Sequence, residues 1–300
     1  MRLVAAGGYQ LTPAASASLV PTPTRLDAFV LYRPRRAEFV AGVAIAAALA
    51  AGERDPTRIA VLGLACLAAA AGASALNYSL ERETYAPMDR THNRPRASGR
   101  AARGGALALG VALVALSQGA ILVLGPLPAL YLLAGVAMYV FLYTWWGRTR
   151  TPLSIVFPGA ACSFAALAGW QTAASAFRPA PQALAAVIFL WVPGHCWALS
   201  IARARDERVN GLPLFPAVVG VKRTASAVFA CTVGLVTTSL VLVPLLAWPY
   251  ALIAVPAGAC FLSATSSLRG NADPASAQRT SRFSELYLIA LLTGVVLSTL

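Results

Sequence analysis

Nine runs of apolar residues, most close to the length that crosses a bilayer, constrain this chain more than anything else in it. They lie at about 39–52, 59–80, 105–124, 127–146, 155–176, 181–202, 224–247, 249–268 and 283–300. A hydrocarbon core of ~30 Å asks for ~20 residues of helix. Lipid offers the backbone no hydrogen-bond partner, so each run must satisfy its own N–H and C=O groups as helix. Composition agrees: 58% of residues are hydrophobic and 12% charged, against roughly 25% charged in a soluble domain. That leaves too little polar surface to wrap a soluble core. The expected fold is all-α, a polytopic membrane bundle of about nine transmembrane helices. The first run is the shortest, ~14 residues or ~21 Å, and needs Arg33, Arg35 and Arg36 snorkelling at its start. Gly125–Pro128 and Trp248–Pro249 read as tight hairpins between runs.

The net charge is +13. In a membrane protein such an excess belongs to cytoplasmic loops facing anionic lipid, and no nucleic-acid partner is expected. With the N-terminus placed in the cytoplasm, 21 of the 24 Lys and Arg residues fall on the cytoplasmic side. Arg54, Arg58 and Arg178 fall outside. The expectation is a multi-pass protein of the cell inner membrane, N-terminus in and C-terminus out. Residues 1–24, rich in Pro, Ser and Thr, read as a flexible tail. The five cysteines are scattered through apolar runs, with neither metal nor disulfide spacing, and read as small hydrophobes.

Charge gathers in one stretch. Asn77 to Arg103 holds three of the eleven acidic residues (Glu81, Glu83 and Asp89) and six arginines. Asn77, Glu81 and Tyr85 recur every four residues, one stripe at the end of the second helix. Pro87 disfavours helix at Ala86, so the helix should stop near Tyr85. Polar groups on a transmembrane helix end should face the bundle interior or a wet cavity. His195, Arg203 and Asp206 form a second stripe, about 16 Å long if helical throughout. Pro193–Gly194 allows a kink that would open a cavity beside His195. Carboxylates, an amide and arginine forks on one membrane face suit a Mg²⁺-diphosphate whose departure ionises an allylic C–O bond. Tyr85, Tyr143, Trp145 and Trp146 suit the path of a carbocation. Plainer readings stay open. The arginines also suit a positive-inside anchor, and Tyr143–Trp146 an interfacial aromatic belt. His195 also suits a hydrogen bond between helices. His92 reads as a solvated loop residue, and Glu38, Glu53 and Glu285 as helix-end charges.

The pattern Asn77, Glu81, Tyr85, Met88, Arg90, Thr91, Arg94 and Pro95 resembles the first motif of the UbiA-type intramembrane prenyltransferases. Leu31–Arg35, Tyr143–Trp170 and Pro193–Pro216 also resemble that family. The last stretch, with His195 and Asp206 in register, resembles its heme-farnesylating branch, the heme O synthases. The resemblance covers about residues 25–300, expected as a single transmembrane prenyltransferase domain. It implies that Asn77, Glu81 and Asp206 bind Mg²⁺ and diphosphate, with Glu81 and Asp206 as the metal ligands. Arg90, Arg94, Arg148 and Arg203 would hold phosphate oxygens. His195 would orient or ligate heme, beside Tyr85, Tyr143 and Trp146. The implied reaction takes farnesyl diphosphate and heme b. Heme A synthase or cytochrome oxidase assembly would be the partners that receive the product. The chain departs from the family pattern at Tyr85, where an Asp is usual, and at Glu207, where a Tyr is usual. Glu207 would then supply the carboxylate that Tyr85 lacks. The alternatives are a quinone or other aromatic acceptor, and a degenerate paralogue that binds heme or isoprenoid without turnover.

Overall fold

The structure, a computed structural model, describes residues 34–85, 103–173, 179–203, 213–246 and 248–298. Among these residues it is all helix and connecting turn, with nine long helices in sequence. They are α1 (Pro34–Ala50), α2 (Pro56–Tyr85), α3 (Arg103–Leu122), α4 (Pro126–Ala137, continued as a π-helix over Met138–Gly147) and α5 (Val156–Trp170, after a 3₁₀ turn at Pro152–Ile155). They continue with α6 (Pro179–Ala202), the one-turn α7 (Phe215–Val219), α8 (Val221–Val241), α9 (Trp248–Gly270) and α10 (Pro274–Leu297). Eight of these are long and apolar enough to cross a membrane. The exception is α1, at 17 residues the short one that the sequence led us to expect.

Proline punctuates the bundle. Pro34, Pro56, Pro126, Pro152, Pro179 and Pro274 each open an element, where the missing N–H costs nothing and the fixed φ suits a helix. Gly125 turns the chain from α3 into α4 at φ 137°, a conformation that a side chain would strain.

Boundaries depart from the sequence reading in three places. The link between α8 and α9 spans residues 242–247, and Trp248–Pro249 opens α9 instead of forming the turn. α1 starts at Pro34, five residues before its apolar run, so Arg35 and Arg36 are helical. α10 starts at Pro274, nine residues before its run. Asp273 caps it, accepting from the Ser276 N–H at 2.9 Å. Glu285, expected at a helix end, therefore lies in the middle of α10.

The outside is greasy and the inside is small. Leu64, Leu116, Val123, Leu252 and Leu286 are exposed, as lipid-facing residues should be. Ala41, Ala44, Ala47 and Ala48 of α1 are buried where α1 packs on α2, α5 and α10. Helices in lipid associate by close backbone approach across small residues. A Cβ on Gly72 would come within 2.9 Å of the Gly110 carbonyl oxygen, and one on Gly110 within 3.0 Å of that of Gly72, fastening α2 to α3. A Cβ on Gly169 would strike the Ala44 carbonyl directly. The larger core residues, among them Trp170, Leu184, Ile188, Leu235, Tyr250, Phe261, Tyr287 and Leu291, fill the space between α5, α6, α8, α9 and α10.

One ion pair closes the end of the bundle at the α1–α2 turn. Arg58 donates from Nε to Glu53 at 2.7 Å and from Nη2 to the Thr172 carbonyl at 2.6 Å. Burial works to raise the Glu53 pKa. The Arg58 guanidinium and the N–H groups of Asp55 and Arg54 outweigh it and hold the carboxyl below its usual range.

Gly169→Ala should destabilise the bundle by about 1–3 kcal/mol through overpacking against α1. Thermal unfolding in detergent should show a lowered midpoint. Gly119→Ala, where an added Cβ meets nothing within 4 Å, should not lower it.

Candidate functional site

The first half of the site is built on the end of α2. The helix is described as far as Tyr85, and Pro87, expected to end it, lies outside the described residues. Positions 77, 81 and 85 thus lie along one helical face. Asn77 is fully buried. Its Nδ2 donates to Thr144 Oγ1 at 2.9 Å, and Thr144 Oγ1 donates its one proton to the Tyr139 carbonyl at 3.0 Å. Thr144 can therefore only accept from Asn77, which fixes which way the amide points. Asn77 Oδ1 is left buried without a hydrogen-bond partner among the described residues. Such a group costs about 1–3 kcal/mol when stranded. Chemically it is a hard oxygen able to accept from a proton donor or to bind a cation.

The partner of Asn77 comes from the π-helix. Over Met138–Gly147 the turn is wider, and the N–H of Arg148 reaches back five residues to the Tyr143 carbonyl at 3.0 Å. π-Helical turns are rare and frequent at functional sites. This one puts Thr144 against Asn77 and gathers Tyr139, Tyr143 and Arg148. The two tyrosine rings lie 5.3 Å apart, and the Arg148 guanidinium sits 6.0 Å from the centre of the Tyr143 ring. Trp146 is exposed and meets Phe157 edge-on at 5.9 Å. Arg36 of α1 approaches the Tyr139 hydroxyl at 3.5 Å.

The second half centres on His195 in α6. Phe39 of α1 stacks on Trp191 at 5.0 Å, and Trp191 stacks on His195 at 4.6 Å with the rings 13° from parallel. α10 supplies the polar contacts. His195 Nδ1 lies 2.6 Å from Ser284 Oγ and 3.5 Å from Ser281 Oγ, and Nε2 lies 3.8 Å from Glu285 Oε1. Arg36 and Phe39 are one turn apart on α1, so this helix touches both halves. Pro193 does not break α6, which runs unbroken from Pro179 to Ala202. Proline leaves the Phe189 carbonyl without its helical N–H. Gly159 of α5 packs there instead, so close that a Cβ would lie 2.9 Å from that oxygen. Close packing thus occupies the notch at Phe189, and Pro193 and Gly194 are both buried.

Of the residues singled out in the sequence, the structure places Asn77, Tyr143, Trp146, Arg148, His195 and Arg203. Arg203 is exposed, just past the end of α6. The side chains of Glu81 and Tyr85, and the residues Arg90, Arg94, Asp206 and Glu207, lie outside the described residues. Among the described residues, no three His, Cys, Asp or Glu side chains cluster as a metal site. Sequence reasoning missed Tyr139, Thr144, Ser281 and Ser284, and misplaced Glu285. The Asp273–Pro274 cap signature would have started α10 early enough to set Ser281, Ser284 and Glu285 within it.

The model of the "UbiA prenyltransferase family" matches residues 39–289. A protoheme IX farnesyltransferase of Acidiphilium cryptum is 37% identical over 287 residues, which cover 91% of this chain and 90% of that one. The solved apo structure of a UbiA homologue from Aeropyrum pernix superimposes with a TM-score of 0.72, covering 89% of this chain and 99% of that chain at 20% identity. A UbiA homologue from Archaeoglobus fulgidus, solved bound to GPP and Mg²⁺, gives a TM-score of 0.62 at 12% identity, covering 89% of this chain and 99% of that chain.

Thr144→Val keeps the shape of the side chain and strands the Asn77 amide N–H groups. It should cost about 1–3 kcal/mol, read as a lowered unfolding midpoint in detergent.

Proposed function

We infer the reaction from one established fact: the chain belongs to the UbiA prenyltransferase family. It is a multi-pass membrane prenyltransferase. Its proposed reaction joins the farnesyl group of farnesyl diphosphate to a vinyl group of heme b. The name of the Acidiphilium relative supports both substrates. The observation that carries the reading to this chain's own residues is the pairing of two unlike half-sites across α1: a buried free amide oxygen beside basic and aromatic groups, and a stacked histidine.

Asn77 Oδ1 suits Mg²⁺, because it is a neutral hard oxygen, buried and without a hydrogen-bond partner among the described residues. With Glu81 and Asp206 it would hold the ion, whose chemistry when bound is to neutralise the diphosphate as it departs. Glu207 is proposed to stand in for the acid that Tyr85 lacks. Arg90, Arg94, Arg148 and Arg203 are proposed to take the remaining phosphate oxygens as charge-assisted donors. The C1–O bond of farnesyl diphosphate breaks with both electrons leaving on the diphosphate. Tyr143, with Tyr139 packed against it, turns a ring face to the allylic cation. The cation adds to the terminal vinyl carbon. Water closes the neighbouring carbocation and loses a proton, giving a hydroxyethylfarnesyl side chain. His195 of α6, held by Ser284 of α10, orients the heme. The arginine bias puts the diphosphate half on the cytoplasmic side of the inner membrane.

Purified protein given Mg²⁺, farnesyl diphosphate and heme b should yield a heavier, later-eluting heme on reverse-phase chromatography. Chelation should abolish the product, and Asn77→Ala should cut turnover on the order of 10²-fold. A folded protein that leaves heme unchanged, or that prenylates a quinone-type ring in preference to heme, would contradict this function.

A further inference from the structure

α10 does more to His195 than pack against it. Ser284 Oγ donates its single proton to the Ser281 carbonyl at 2.7 Å. The 2.6 Å contact between Ser284 Oγ and His195 Nδ1 therefore has one remaining donor, the ring N–H. His195 is held as the Nδ1–H tautomer, and its lone pair lies on Nε2. Ser284 also fixes the ring plane. Its carbonyl accepts from Trp191 Nε1 at 2.8 Å, and Trp191 is the ring stacked on His195. One residue thus sets both the tautomer and the orientation of the imidazole. Ser284 is buried, so water does not compete for these bonds. Nε2 points towards Glu285 Oε1 at 3.8 Å, beyond hydrogen-bonding distance. The Glu285 side chain is 58% exposed, against 11% for His195, so the carboxyl stands at the open side of the ring. A nitrogen lone pair and a carboxylate are both electron-rich. An electron-poor centre approaching from that open side would meet both.

We propose that Ser284 is a positioning residue that presents the Nε2 lone pair of His195 to the metal of a metalloporphyrin acceptor. The site thereby selects an iron porphyrin over the metal-free ring. The inference rests on the heme-farnesylating reading and adds to it a residue, a tautomer and a basis for acceptor choice. The physical logic is that of a metal-binding histidine, whose second ring nitrogen is engaged as a donor so that the first is free and correctly aimed.

The chain holds two histidines, which makes the tautomer directly readable. Full-length protein labelled with ¹⁵N-histidine, compared with a His195→Gln sample, isolates the His195 signals. The proposal expects the Nδ1–H pattern in the parent protein and its loss in Ser284→Ala. Ferric heme should then bind Ser284→Ala about 10–100-fold more weakly, with an altered Soret band, while metal-free protoporphyrin binds both proteins alike. Finding Nε2–H in the parent would overturn the proposal. So would equal affinity of parent and Ser284→Ala for ferric heme, or equal weakening for the metal-free ring. Turnover separates this inference from the reaction it rests on. Normal heme farnesylation with Nε2–H overturns the tautomer assignment alone. Nδ1–H with the expected binding changes, but no prenyl transfer, upholds the assignment and overturns the reaction.

Discussion

The hydrogen bond from Asn77 to Thr144 is the contact on which the proposed diphosphate half of this protein depends. It joins α2 to the π-helical end of α4 in a buried setting, where no water is at hand to replace it. Its direction is set by a single proton, because Thr144 has already given its own to the Tyr139 carbonyl. The consequence is an amide oxygen without a hydrogen-bond partner among the described residues. A bilayer protein tolerates such a group poorly unless a ligand uses it. The π-helix is the structural condition for this arrangement. A regular α-helix through Met138–Gly147 would shift Thr144, Tyr143 and Arg148 around the axis relative to Tyr139.

Helix α1 gives the two halves a common frame. It is short, and its Ala-rich back lets α5 approach until Gly169 meets the Ala44 carbonyl. Its front carries Arg36 towards Tyr139 and Phe39 onto Trp191. A cationic allylic fragment made beside Tyr143 and an acceptor held by His195 would thus be registered against the same helix. In the proposed reaction the small residues would also set how near the reacting partners can come, because a bulkier α1 would push the halves apart.

Much of this was legible in the sequence because lipid enforces simple rules. Hydropathy gave the nine long helices of the described residues. The four-residue spacing of Asn77, Glu81 and Tyr85 gave the face on which the site is built. What escaped had a local cause in each case. The first turns of α10 are rich in Ser, Arg and Gln, so an apolar window began nine residues late and left Glu285 near a helix end. Ser281 and Ser284 look unremarkable one at a time, and their meaning comes from the ring nitrogen they face. The π-helix leaves no periodic signature, since Tyr139, Tyr143 and Arg148 fit an ordinary aromatic, basic helix end. Pro193–Gly194 read as an opening, but Gly159 fills the notch, and that partner is 34 residues away in the chain.

The central claim is that the free oxygen of Asn77 helps hold the metal that carries a prenyl diphosphate. Calorimetric titration of the purified protein with farnesyl diphosphate tests it most directly, with Mg²⁺ present and with Mg²⁺ chelated, on wild type and Asn77→Ala. The account predicts binding by the wild type only when Mg²⁺ is present, and markedly weaker binding by a still-folded Asn77→Ala. Binding that ignores Mg²⁺, or that is the same in Asn77→Ala as in the wild type, would contradict it.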